Sequence, residues 1–144
     1  DRVTAIDNCE EELEEAPDCC SKQLMDATEL LFPDDSFDNV TFFYTLMYMT
    51  TEEQQKSIRE AARVLKAGKW MHIWDCDICS AYPEPFVIDL DVKSGTLKIH
   101  TAYGIVKRDA QSSDSIVHLL ENAGLRIESL QEKDGQFHIQ CRKG

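Results

Sequence analysis

Cysteine, aspartate, histidine and tyrosine are the residues of this chain whose chemistry could serve a site, and their spacing sorts them. Cys76 and Cys79 form a C-x-x-C just past a strand-like run, and Cys19 and Cys20 are adjacent. A tetrahedral zinc site takes four ligands, so one such pair plus a vicinal pair across a long gap is a weak signature. Isolated thiols are the simpler reading, and no metal site is assigned. Three aspartates, Asp7, Asp26 and Asp75, each close a strand-like run. A carboxylate accepts hydrogen bonds and donates none, which at Asp7 and Asp26 suits a ligand rich in donors, but these two are also ordinary cap or turn residues. His72 falls in a strand, His100 in a hairpin, His118 in a helix and His138 in a terminal strand, so no histidine stands out as a general base.

The stretch 31–75 must position these groups. Residues 40–44 are an apolar run entered from Pro33, Asp34, Asp35 and Ser36, and the lack of clean alternation predicts a strand buried on both faces. Thr50 precedes Glu53 by three residues, the spacing of a capping box, while Ile58, Ala61, Ala62 and Leu65 fall at i, i+3, i+4 and i+7. Glu52 and Glu53 in the first turn and Arg63 and Lys66 in the last complement the helix dipole, with Gly68 as the stop. A second strand over 70–74 ends at Asp75. Strand, helix and strand in this order predict a right-handed parallel crossover.

Upstream, residues 3–6 read as a strand ending at Asp7. Asn8, three residues before Glu11, reads as the cap of a short acidic helix over 10–15, with Leu13 and Ala16 inward and Pro17 ending it. Residues 22–25 make a further short strand. Downstream, 86–92 and 96–106 flank a turn at Lys93, Ser94 and Gly95, which predicts a hairpin. A helix over 110–123 turns Ile116, Leu119, Leu120 and Ala123 inward and stops at Gly124. Runs 125–130 and 137–141 then pair antiparallel across Lys133, Asp134 and Gly135.

The bulk numbers exclude several classes. At 144 residues and 42% hydrophobic, the chain holds one domain with an ordinary core. Asp and Glu number 27 against 15 Lys and Arg, a formal net charge of −12, which argues against gripping a phosphate backbone, so no nucleic acid partner is expected. Its apolar runs fall far short of the ~20 residues that span a bilayer. Six cysteines in a packed α/β composition read as reduced thiols in a cytoplasmic protein and not as a secreted disulfide scaffold.

The order of elements, together with the wording VTAID, LMDA, LFPDDSFDNV and ARVLKAGKW, resembles the class I S-adenosylmethionine-dependent methyltransferases over nearly the whole chain. The resemblance implies a Rossmann-like α/β sheet, mostly parallel with an antiparallel C-terminal strand, carrying an inserted hairpin at 86–106. It implies S-adenosylmethionine as cofactor, with Asp7 accepting from the two ribose hydroxyls and Asp26 from the adenine amino group. The backbone N–H of Ala27 would meet a ring nitrogen, Phe43 and Tyr44 would pass beside the cofactor, and Met47 and Tyr48 would face the methyl acceptor.

In that family a first strand, its helix and a glycine-rich loop would lie upstream of Asp1, with the strand between those at 3–6 and 40–44. The expectation is therefore one methyltransferase domain, 1–144, that is N-terminally incomplete. No Asn-Pro-Pro-Tyr-type motif occurs, and the expected reaction is methylation of a small-molecule acceptor. A non-catalytic scaffold of the same fold and a thiol-based metal or metalloid binder are the alternatives. The hairpin would either cover the substrate or mediate a homodimer.

Overall fold

Apolar spacing and local end signals account for most elements of the computed structural model, which describes residues 3–79 and 82–144. In chain order these are β1 (Thr4–Asp7), α1 (Glu10–Glu15), β2 (Ser21–Leu24), β3 (Phe37–Phe43), a 3-10 turn (Leu46–Tyr48), α2 (Thr51–Val64) and β4 (Leu65–Cys76). There follow β5 (Phe86–Ser94), β6 (Leu97–Ile105), α3 (Ser113–Asn122), β7 (Leu125–Lys133) and β8 (Gln136–Lys143). No helix among the described residues is long and apolar enough to cross a membrane.

The strands form three groups: a β1–β2 pair, a four-stranded sheet in the order β3-β4-β8-β7, and the β5–β6 hairpin. β1 and β2 are parallel, as are β3 and β4. β8 is antiparallel to both of its neighbours, so β3, β4 and β7 share one direction and β8 runs against them. This is the α/β, Rossmann-like arrangement of the class I methyltransferase fold. At the β7–β8 turn Asp134 and Gly135 have φ of 53° and 72°, the left-handed pair whose twist matches the flanking strands.

One face of the large sheet packs on helices. Phe42, Met71, Ile73, Ile139 and Cys141 meet Ile58 and Ala61 of α2 and Ile116 and Leu120 of α3. A second apolar cluster lies toward the hairpin, where Tyr44, Met47, Cys76 and Ile78 meet Ile88, Leu90 and Ile105. The predicted caps of α2 are present: Glu53 N donates to Thr50 Oγ1 at 3.3 Å, and Thr50 N donates to Glu53 Oε2 at 2.7 Å.

Four local readings are corrected. β3 is not buried on both faces: Val40 and Phe42 turn toward the helices, while Thr41 and Phe43 lie exposed on the other side, because α2 and α3 cover one face of the sheet. Gly68 does not stop α2. Leu65, fully buried, already leaves the helix in extended backbone, and Gly68 (φ 71°) sits inside β4, in the bulge between the Phe37–Leu65 and Asn39–Trp70 pairs. Cys9 and not Asn8 is the N-cap of α1, without a side-chain cap. The third helix begins three residues later than its periodicity suggests, since Ser112 and Ser115 form a capping box there.

Candidate functional site

Two parallel strand pairs, β1–β2 and β3–β4, carry the sequence candidates at their carboxyl edges. Asp7 ends β1 and pairs in register with Leu24, which places it two residues from Asp26 across the β1–β2 ladder. Asp7 is half-buried, and its Oδ1 accepts from Cys9 N at 2.9 Å. Asp26 is exposed; its Oδ1 accepts from Thr28 N at 2.7 Å and from Thr28 Oγ1 at 2.8 Å. The Thr28 backbone N–H, then its hydroxyl, hold the Asp26 carboxyl below the usual carboxylate range. Ala27, half-buried, follows in the same loop.

At the end of β3 the two aromatics part. Phe43 is 48% exposed and packs edge-on to Tyr44 at 5.0 Å between ring centroids. Tyr44 is buried, and it is held at φ 49°, a left-handed conformation that costs a non-glycine residue roughly 1–2 kcal/mol. Two bonds hold it there, Tyr44 N to Trp74 O and Tyr44 Oη to Gln136 Oε1, each 2.8 Å. Burial pushes its phenol up to about 12. The structure also separates the two acceptor-side candidates. Met47 is fully buried in the second apolar cluster, whereas Tyr48 is 57% exposed and meets Tyr103 of the hairpin edge-on at 6.4 Å.

Beneath this edge lies a buried polar network that sequence reasoning missed. Asp75 is fully buried, and desolvation raises its pKa despite three hydrogen bonds: Cys76 N at 2.9 Å, Gln111 Nε2 at 2.8 Å and Met47 N at 3.2 Å. Gln111 and Gln54 are 3% exposed each, and half-buried Lys107 joins them. Gln54 did leave a signal, since it falls four residues before Ile58 on the apolar stripe of α2, where an uncharged polar residue asks for a buried partner. Gln111 left none, because its partners come from three other segments.

The thiols do not converge. Cys76 is buried and burial pushes it up to about 12, while Cys79 is exposed, and all six cysteines are free. Among the described residues no group of three or more His, Cys, Asp or Glu side chains is placed to hold a metal. His72 and His138 meet on the uncovered side of the large sheet, Nδ1 to Nε2 at 3.3 Å, with Trp74 stacked on His138 at 4.1 Å. A shallow depression of about 390 Å³ lies at the opposite end of the strands, lined by Arg59, Arg63 and Lys143 among others. It is a structural seam. Arg63 is engaged there with Glu60 and Asp34, and Lys143 with Asp35.

Comparison with known proteins agrees with the fold. A family model described as a methyltransferase domain matches residues 1–73, half of the chain. No curated protein sequence matches. Among solved structures, an S-adenosylmethionine-dependent methyltransferase from Clostridium acetobutylicum ATCC 824 superposes with a TM-score of 0.71 at 15% identity, over 100% of this chain and 76% of that one. One from Methanosarcina mazei gives 0.68 at 18% identity, over 99% and 82%. The glycopeptide N-methyltransferase MtfA, complexed with S-adenosyl-L-homocysteine, gives 0.64 at 14% identity, over 99% and 73%. At these identities the likeness is one of fold.

Proposed function

Since the chain belongs to the methyltransferase-domain family, with the class I fold of its S-adenosylmethionine-dependent members, we propose that it transfers a methyl group from S-adenosylmethionine to a small-molecule acceptor. The observation that carries this reading is that Asp7 ends β1 and Asp26 follows β2 by two residues, so both lie toward the carboxyl end of a parallel strand pair, where ligands of open α/β sheets bind. The residues present fit the cofactor by their chemistry. Two carboxylates that only accept hydrogen bonds suit the ribose hydroxyls and the adenine amino group. An exposed aromatic, Phe43, suits an apolar or cationic neighbour.

When bound, S-adenosylmethionine supplies a methyl group already activated on a sulfonium sulfur. The work left to the chain is placement and exclusion of water. Asp7 holds the ribose and Asp26, with the Ala27 N–H, the adenine. Phe43 and Tyr44 border the cofactor, and Tyr48, beside Tyr103, orients the acceptor above the buried Met47. In this reading residues 1–144 belong to one methyltransferase domain, and the β5–β6 hairpin is an insertion bordering the acceptor. Isothermal titration of the full-length protein with S-adenosylhomocysteine tests it: the full-length wild type should bind, and Asp7→Asn should weaken binding about tenfold, the worth of one charge-assisted hydrogen bond. A wild-type protein that binds neither S-adenosylhomocysteine nor S-adenosylmethionine would be a non-catalytic relative of the fold.

A further inference from the structure

Gln111 ties together four segments that meet under the acceptor side. Its backbone forms an antiparallel bridge with Ile78, Ile78 N donating to Gln111 O at 2.8 Å and Gln111 N to Ile78 O at 3.1 Å. Its Nε2 donates to Asp75 Oδ1 and to Cys76 O, each at 2.8 Å. Both partners are acceptors, so they fix which way the amide points. Its Oε1 must then face the other way, where it accepts from Gln54 Nε2 at 2.6 Å and from Lys107 Nζ at 3.0 Å. Gln54 Nε2 also donates to Leu46 O at 2.9 Å, and Asp75 Oδ2 accepts from Met47 N at 3.2 Å. One neutral amide therefore lies between a buried carboxylate and a half-buried ammonium. The same set of bonds reaches the first two residues of the turn that carries Tyr48, Leu46 through Gln54 and Met47 through Asp75.

We propose that Gln111 is a positioning residue for the acceptor side of the methyl-transfer site, relaying the charge of Asp75 to Lys107 while pinning the Leu46–Tyr48 turn and the segment after the hairpin in one arrangement. The proposal rests on the methyltransferase reading above, which makes this edge the place of reaction. In a dry interior each hydrogen bond to an amide polarises the one at its other end, so the carboxylate on Nε2 strengthens the acceptor that Oε1 offers to the ammonium. Burial pulls the Lys107 pKa down, and the carboxylates facing it, Asp75, Asp109 and Glu53, together with Cys76, oppose that pull. The relay also ties the segment of Lys107 to the turn of Tyr48, because the Gln111 side chain bonds Lys107 directly and the turn through Gln54 and Asp75.

The test follows Lys107 by NMR in protein labelled with 13C-lysine, its signal assigned by Lys107→Arg, in the wild type, Gln111→Met and Asp75→Asn. Gln111→Met keeps the length of the side chain and removes its polar atoms, so it remains the folded arm should Asp75→Asn unfold. The pH midpoint of Lys107 should fall by about one pH unit in either variant, as loss of a charged or polarised partner requires. Lys66 and Lys69, which pair with Asp38 far from the network, should not move. Affinity for S-adenosylhomocysteine should stay within about twofold of wild type, because Asp7 and Asp26 lie on other strands. A Lys107 midpoint unmoved in Gln111→Met overturns the relay. Loss of S-adenosylhomocysteine affinity alongside the shift overturns an acceptor-side role in favour of a general structural one. A wild type that binds no S-adenosylhomocysteine is a failure of the methyltransferase reading, seen before any variant is made.

Discussion

His138 has two aromatic neighbours, Trp74 and His72, in contact with its ring. Trp74 stacks on it with planes 7° apart, and the His72 ring nitrogen lies 3.3 Å from its own. Burial first, and the charge of His72 second, hold His138 below the usual histidine value. The unfolded chain therefore takes up a proton at a higher pH than the folded one does. The stabilising contribution is complete above about 6.5, the unfolded value, and is lost as pH falls from there toward the folded value. Urea denaturation at a series of pH values should show stability declining below about 6.5, and His138→Gln should flatten that part of the profile. Asp7 teaches a different lesson at this scale. Its Oδ1 takes the Cys9 N–H next to the start of α1, so it serves the local backbone that the bland reading assigned to it. A carboxylate has a second oxygen, and the two uses are compatible. The position of Asp7 was legible because a strand end is a local feature. The burial of Asp75 was not, since it comes from residues 28 to 36 positions away.

α2 was legible in detail because its signals are local: a capping box, an apolar stripe and charges matched to its ends. Thr50→Ala should cost about 1 kcal/mol in urea denaturation, the usual worth of such a cap. Where the helix ends was misread, because glycine is a good stop in isolation while Leu65 is drawn into the core. The faces of β3 were misread for a related reason: an apolar run does not say whether both faces of the strand will be covered. The family-like wording of the LFPDDSFDNV and ARVLKAGKW stretches turns out to be architecture. Arg63 of ARVLK donates to Leu30 O, Phe32 O and Asp34 Oδ1, each at 2.8 Å, and grips Glu60. The LFPDDSF loop and the end of α2 are therefore fastened together by one guanidinium, so this part of the wording marks a fold.

Across the whole molecule the strands fall into separately bonded groups. α1 packs on β1 and β2, while the main core belongs to the large sheet with α2 and α3. Among the bonds joining the first group to the rest are those of the loop after β2, where Leu30 N donates to Glu60 Oε2 at 2.9 Å and Arg63 returns to Leu30 O. Native-state hydrogen exchange should show amides of β1 and β2 exchanging well ahead of those in β4 and β8, since local opening follows the density of buried apolar contacts. Equal protection in the two groups would argue that they open as one unit. The division has a consequence for how binding would be felt. Asp7 and Asp26 stand on one group, Phe43 and Tyr44 on the other, so a ligand touching all four would be a removable cross-link between two foldons. At a hundredfold excess over its dissociation constant it would add about 2.7 kcal/mol to the closed state. Occupancy would then be written into the exchange rates of strands that the ligand never contacts.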